Sequence, residues 1–210
     1  MRSSFMQIII NATDAQYALL VEKCNKSGHS ISQYKADSTE MAEAHLLIDA
    51  CFEEDGGAFL SVTDTPVLVN AVITTSQQLP KNFVRFNGWN GFLGQPKLEI
   101  AGHANSVENY ASILESAGID YMVSVDEIGM IGARVVAMMI NEAYFALSEG
   151  VSSKEDINTA MKLGTNYPYG PFEWADMIGV QKIAALLNAL SKTDSRYEIA
   201  PALKLTSEWP

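Results

Sequence analysis

The sequence predicts an α/β protein, with a mostly parallel, doubly wound sheet up to about Val125 and an all-helical domain from Asp126 to Pro210. Three observations carry this. Before Val125, short apolar runs alternate with helix-like segments. Those runs are continuously apolar, as strands covered on both faces are. After Asp126 the apolar residues recur at helical spacing, and no strand-like run follows.

Taken in order, Phe5–Ile10 (FMQIII) reads as a buried strand. Thr13 or Asp14 can cap a helix to Lys26, with Ala18, Leu19, Leu20 and Val21 on its apolar side and Gly28 as its stop. Ser30–Lys35 alternates and reads as a second strand, followed by a short polar helix over Ser38–Ala44. His45–Phe52 is a third strand, and Asp55-Gly56-Gly57 is a turn. Ala58–Thr63 and Val67–Val72 are expected as two more strands, and Phe83–Asn87 and Lys97–Ala101 as a further pair. Ser106–Ala117 reads as a helix, with Tyr110, Ile113 and Leu114 at helical spacing, and Asp120–Val125 as the last strand.

In the second half, Asp126 is expected to cap a long helix ending near Glu149-Gly150. Ile131, Val135, Met138 and Met139 fall on one of its faces, and Ile140 and Phe145 widen the apolar surface. A helix this apolar is buried on most sides or lies in a subunit interface. Ser152-Ser153-Lys154-Glu155 reads as a capping box for a helix ending near Leu163-Gly164. Pro168 and Gly170-Pro171 make a turn, with Pro171 opening the next helix. Val180–Leu190 is the last clear helix, with Ile183, Leu186, Leu187 and Leu190 inward, and the tail after it has weak signals.

The 210 residues suffice for one large domain or two small ones. A net charge of −11 with no basic stripe argues against a nucleic-acid partner and against docking on an anionic membrane. Cys24 and Cys51 lack metal-ligand spacing and no Cys/His cluster surrounds them, so no metal site is expected and both read as buried thiols in a reducing compartment. The apolar run at Phe5–Ile10 is too short for a signal peptide or a membrane span, and Ile128–Ile140 carries Arg134 in its middle. A cytoplasmic protein is expected.

More specific are three stretches in tight order: Asn141–Val151 (NEAYFALSEGV), Glu155–Pro168 (EDINTAMKLGTNYP) and Gly170–Gly179 (GPFEWADMIG). Together they resemble the signature of the C-terminal domain of the 3-hydroxyacyl-CoA dehydrogenase family. Val84–Gly102 resembles the segment that ends that family's sheet and carries its catalytic dyad. His45–Asp55 and Val72–Leu79 resemble the middle of its dinucleotide-binding domain. The resemblance implies a Rossmann-like domain over residues 1–125 and a helical domain of the 6-phosphogluconate-dehydrogenase-like type over residues 126–210. The stretch between Lys35 and His45 is too short for the long helix and extra strand the family carries there, so the first domain is trimmed.

What the family needs can then be sought residue by residue. It oxidises 3-hydroxyacyl-CoA with NAD, whose pyrophosphate approaches a helix N-terminus over G-x-G-x-x-G. Here that place reads Asn11-Ala12-Thr13-Asp14-Ala15-Gln16, with no glycine. Asn11 and Thr13 are left as donors, and Asp37 is the candidate for the ribose. The family's base is a histidine paired with a downstream glutamate. The resemblance puts Asn90 at the histidine's place, Glu99 at the glutamate's, Ser76 at a substrate-contacting serine, and Ala133 where an asparagine precedes Arg134. Asparagine cannot act as a general base, and His29, His45 and His103 have no partner placed beside them by the sequence. The resemblance therefore implies a 3-hydroxyacyl-CoA dehydrogenase-like protein with reduced or no catalysis, or else a non-catalytic acyl-CoA-binding or structural module. It also implies a homodimer paired through the helical domain.

Overall fold

The structure, a computed structural model, describes residues 5–24, 28–36 and 39–208. The chain divides into two compact units, Met1–Met130 and Ile131–Pro210.

The first unit holds one sheet of seven strands: β1 (Gln7–Asn11), β2 (Ser30–Gln33), β3 (Leu46–Asp49), β4 (Val67–Asn70), β5 (Phe83–Phe86), β6 (Leu98–Ala101) and β7 (Tyr121–Val123). Their order is β2-β1-β3-β4-β5-β6-β7, and every neighbouring pair is parallel except β5–β6. Successive side chains alternate between faces, so the continuous apolar runs feed two cores. Ile8, Ile10, Ile48, Leu68, Val84 and Ile100 pack with Leu20 of α1 (Asp14–Cys24) and Leu114 of the helix Ala104–Ala117. Ile9, Leu47, Val69 and Phe83 pack on the other face with Phe59. Between them lies the short helix α2 (Phe52–Asp55), which makes the Ala104–Ala117 helix α3.

Two sequence expectations fail here for visible reasons. Ala58–Thr63 is a turn rather than a strand. Its backbone bonds are local or to a side chain: Val62 N donates to Phe59 O, and Ala58 N donates to Asp49 Oδ2. Phe59 still fills the core, but Leu60 beside it is 49% exposed. Gly57, with φ +90° and the Phe52 ring 2.9 Å from where a Cβ would sit, turns the chain away from the sheet. The polar helix expected over Ser38–Ala44 is a 3₁₀ turn at Thr39–Glu43.

The second unit is all helical: α4 (Gly132–Ser148), α5 (Lys154–Thr165), α6 (Pro171–Ile178), α7 (Val180–Ser191) and α8 (Pro201–Glu208). Asp126 does not cap α4, which starts six residues later, after Gly129 and Met130 at positive φ. Helix α5 is capped one residue later than expected: Ser153 Oγ accepts from Asp156 N at 3.1 Å. Pro171 is the first residue of α6, where its missing N–H costs nothing. Asn158 Oδ1 accepts from Phe172 N at 2.9 Å, and Glu173 accepts from Gly170 N and from Lys162. These bonds pin the α5–α6 turn. Helix α4 buries Ala133, Val136, Ala137, Ile140, Asn141 and Tyr144, whereas Ile131 and Val135 of the expected apolar face are each 52% exposed. The tail is seated by Asn141, which donates to Glu198 O at 2.8 Å and accepts from Ala200 N at 2.9 Å.

Candidate functional site

Doubly wound sheets take ligands at the carboxyl ends of their strands, where the strand order reverses. In this sheet that point lies between β1 and β3, because β2 lies on one side of β1 and β3 on the other. There the face carrying Ile9 and Leu47 changes character. The same alternation that places those residues inward places Asn11 at the end of β1 and Asp49 at the end of β3 on that side, and Arg85, Asn87 and Glu99 follow along it.

The turn from β1 to α1 is bonded to itself. Gln16 Oε1 accepts from Thr13 N at 3.1 Å and from Thr13 Oγ1 at 2.9 Å, and Thr13 Oγ1 accepts from Gln16 N at 3.4 Å. This is a capping box. Gln16 Nε2 reaches across to Ala50 O at 3.3 Å, and Asn11 Nδ2 donates to Asp49 Oδ1 at 2.9 Å. Two of the N–H groups that a pyrophosphate would meet here, those of Thr13 and Gln16, are bonded to side chains of this chain. The turn therefore does not fit NAD in the usual manner. Asp37, the ribose candidate, lies outside the described residues.

Asp49 is fully buried. Burial pushes its carboxyl up, while Ala58 N–H, the Asn11 amide and Cys51 N–H pull it back. A carboxyl held above its unfolded value binds its proton more tightly when folded. Its stabilising contribution is complete below the unfolded value of about 3.9 and is lost as pH rises through the folded one. Asp49→Asn should remove that slope and set an amide N–H against a donor. The expected loss is about 1–3 kcal/mol near neutral pH, with a flatter urea midpoint against pH.

A second cluster surrounds Arg85 of β5, which is fully buried. Its guanidinium donates to Thr74 O at 2.9 Å and Glu127 O at 2.7 Å, and its Nη1 lies 3.3 Å from Asp126 Oδ1. Burial pulls the guanidinium down, and the charges of Asp126, Glu53, Glu99 and Glu127 oppose this. Glu53 of α2 accepts from Ile73 N and Thr74 N at 2.7 and 2.8 Å. Ser76 is 2% exposed and donates its hydroxyl to Asp126 Oδ2 at 2.5 Å. Thr75 is the N-cap of the short turn Ser76–Gln78. The segment after β4 is thus gripped on its amides by Glu53, on its carbonyls by Arg85 and at Ser76 by Asp126.

The third cluster is the β5–β6 hairpin. Asn87 lies opposite Glu99: its N–H donates to Glu99 O at 3.0 Å, and its Nδ2 donates to Glu99 Oε2 at 3.4 Å. Asn87 is 1% exposed and Glu99 8%. Asn90, three residues on, is exposed in the turn. Between them Gly88 has no room for a side chain, since a Cβ would sit 2.8 Å from the Asn70 amide carbon. Asn70 holds the strand ends together, accepting from Gly88 N at 2.8 Å and donating to Ala50 O at 3.0 Å. The sequence did not single out Asn87. The signal that would have found it is the antiparallel register of β5 with β6, which pairs Phe86 with Ile100 and so brings Asn87 opposite Glu99.

Among the described residues, no group of three or more His, Cys, Asp or Glu side chains could hold a metal ion. Nor is any helix among them long and apolar enough to cross a membrane.

Residues 129–209 match the model of the 3-hydroxyacyl-CoA dehydrogenase C-terminal domain. The helical unit therefore carries the C-terminal domain of the 3-hydroxyacyl-CoA dehydrogenase family. Among similar proteins, the 3-hydroxyadipyl-CoA dehydrogenase of Escherichia coli is 49% identical over 77 residues, 37% of this chain and 16% of that protein. A 3-hydroxybutyryl-CoA dehydrogenase of Clostridioides difficile is 31% identical over 163 residues, 75% of this chain and 57% of that one. The chain thus spans less than two thirds of the length of either. The fold matches the crystal structure of (S)-3-hydroxybutyryl-CoA dehydrogenase from Ralstonia eutropha, with a TM-score of 0.72 at 18% identity, over 96% of this chain and 93% of that one.

Proposed function

We propose that this protein is a 3-hydroxyacyl-CoA dehydrogenase-like member of fatty-acid metabolism that binds acyl thioesters and has lost, or greatly slowed, their dehydrogenation. The observation that carries the reading is the side chain hydrogen-bonded to Glu99. Where the family pairs a histidine with a glutamate, the buried partner of Glu99 across the hairpin is the amide of Asn87. An amide has no site of useful basicity, and loss of a general base removes roughly a hundred- to ten-thousand-fold of rate. We therefore assign the histidine's place to Asn87 instead of Asn90. Glu99 and Ser76 are the polar groups assigned to the acyl end of the ligand. NAD is the cofactor that the resemblance suggests, and the β1–α1 turn argues against it.

The relatives act on 3-hydroxybutyryl-CoA and 3-hydroxyadipyl-CoA by name, which supports acyl-CoA as the ligand class. Isothermal titration with acetoacetyl-CoA tests it. Saturable binding, weakened at least ten-fold by Glu99→Gln, is expected. No heat with acetoacetyl-CoA or with a longer 3-oxoacyl-CoA would sink the reading.

The protein is also proposed to work in the cytoplasm as a homodimer, without nucleic-acid or membrane partners. The half-exposed Val135 of α4 and Ile131, just before that helix, support the pairing. The thiols suit a reducing compartment: burial pushes Cys24 up to about 12, and both cysteines are free. Sedimentation should give twice the 22.9 kDa chain mass at micromolar concentration. A monomer across the whole accessible range would remove the dimer from the proposal.

A further inference from the structure

We infer that Gln16 fills the switch-point crevice in place of a dinucleotide, so that the β1–α1 turn is closed by this chain's own side chains. The inference bears on the same site as the proposed function but rests on different residues. Gln16 is 8% exposed and lies at the first turn of α1. Its carbonyl oxygen takes two donors of Thr13 and lies 3.7 Å from the Cys51 thiol, while its amide nitrogen spans to Ala50 O at the end of β3. One side chain thus satisfies both strands that flank the crevice. Asn11 and Asp49 make a second bridge beside it, and Gln33 Nε2 holds Ala12 O at 3.1 Å from the β2 side.

A pyrophosphate would have to break these bonds before gaining its own. It needs backbone N–H groups at the helix start, and Thr13 N–H is already bonded to Gln16. Asp14 in the first turn adds a negative charge where the ligand's charge would come. The bonds on Gln16 are all within the first unit, so the closure needs nothing from the second. The sequence pattern agrees: Asn11, Thr13 and Gln16 stand at the three places where the family's motif carries glycine.

The test is an NADH fluorescence titration of the natural chain, with amide hydrogen exchange at Thr13 read in parallel. No saturable NADH binding up to millimolar concentration is expected, and Thr13 exchange should be unchanged by NADH. In Gln16→Ala, Thr13 exchange should quicken at least ten-fold. Saturable binding to the natural chain at or below about 100 µM would overturn the inference. So would a well-folded Gln16→Ala protein whose Thr13 exchanges at the natural rate. If Gln16→Ala does not fold, the titration of the natural chain decides alone. Acyl-CoA binding with a lost base would survive either result against this inference, because it rests on Asn87 and Glu99.

Discussion

Arg85→Met should destabilise the first unit by about 2–4 kcal/mol, because the charged hydrogen bonds of a buried guanidinium are lost. The methionine nearly matches the aliphatic stem, so the loss reports on the guanidinium rather than on a cavity. Thr74 O is then left without its donor, whereas Glu127 O keeps Met130 N–H at 3.1 Å and Val72 O, 3.4 Å from Nη2, keeps Gly129 N–H at 2.8 Å. Asp126 also loses its ion pair but keeps Ser76 and some solvent, since its side chain is 20% exposed. Most of the cost should therefore come from the lost charged hydrogen bonds, that to Thr74 O above all. Arg85→Met combined with Asp126→Asn should recover less than about 1 kcal/mol of the loss, consistent with a partly exposed ion pair. Arg85→Lys should fall between the natural chain and Arg85→Met, because an ammonium cannot span the three carbonyls as a planar fork does. Urea unfolding followed by circular dichroism measures all three. A loss below about 1 kcal/mol in Arg85→Met would show that the segment holding Ser76 does not depend on this guanidinium.

That network also shows how far the sequence could be read. The strands were legible because each needs only a short apolar run, and β1, β3 and β4 are buried at nearly every position. Ala58–Thr63 misled because Phe59 and Val62 supply apolar residues, while the two glycines before them decide the direction of the chain. Asp126 misled in another way. It has the chemistry of a helix cap, but its carboxylate is used by Ser76, fifty residues earlier, and by Arg85. A local pattern cannot register partners that far off. Helix α4 is apolar nearly all round, so spacing alone could not choose its inner face. Small Ala133 and Ala137 are buried while Ile131 and Val135 lie half outside. In the candidate site, Glu99, Ser76 and the missing glycines were legible as residue types. The pairing of Asn87 with Glu99 was not, because it depends on strand register across an eleven-residue hairpin loop (87–97) rather than on any nearby signal.

The register gives the second large expected effect. On the proposed function, consumption of NADH with acetoacetyl-CoA by the natural chain should be undetectable, for want of both a base and an open nucleotide turn. Restoring one alone should not help. In a chain carrying Asn11→Gly, Thr13→Gly and Gln16→Gly, adding Asn87→His should raise NADH consumption at least a hundred-fold, the lower end of what a positioned general base contributes. The imidazole would start from the backbone position already bonded to Glu99 O, and the Glu99 carboxylate lies within reach to orient it. Asn90→His in the same background should add nothing measurable, because its side chain starts from an exposed turn three residues further on. Glu99→Gln should then cancel most of the Asn87→His gain, as it removes the group that fixes the ring. If Asn90→His proved the more active of the two, the assignment of the dyad to Asn87 and Glu99 would be wrong. If neither histidine produced turnover while NADH bound to the glycine variant, the deficiency would lie elsewhere. Ala133, to which the resemblance assigns the family's asparagine, would be the next residue to restore.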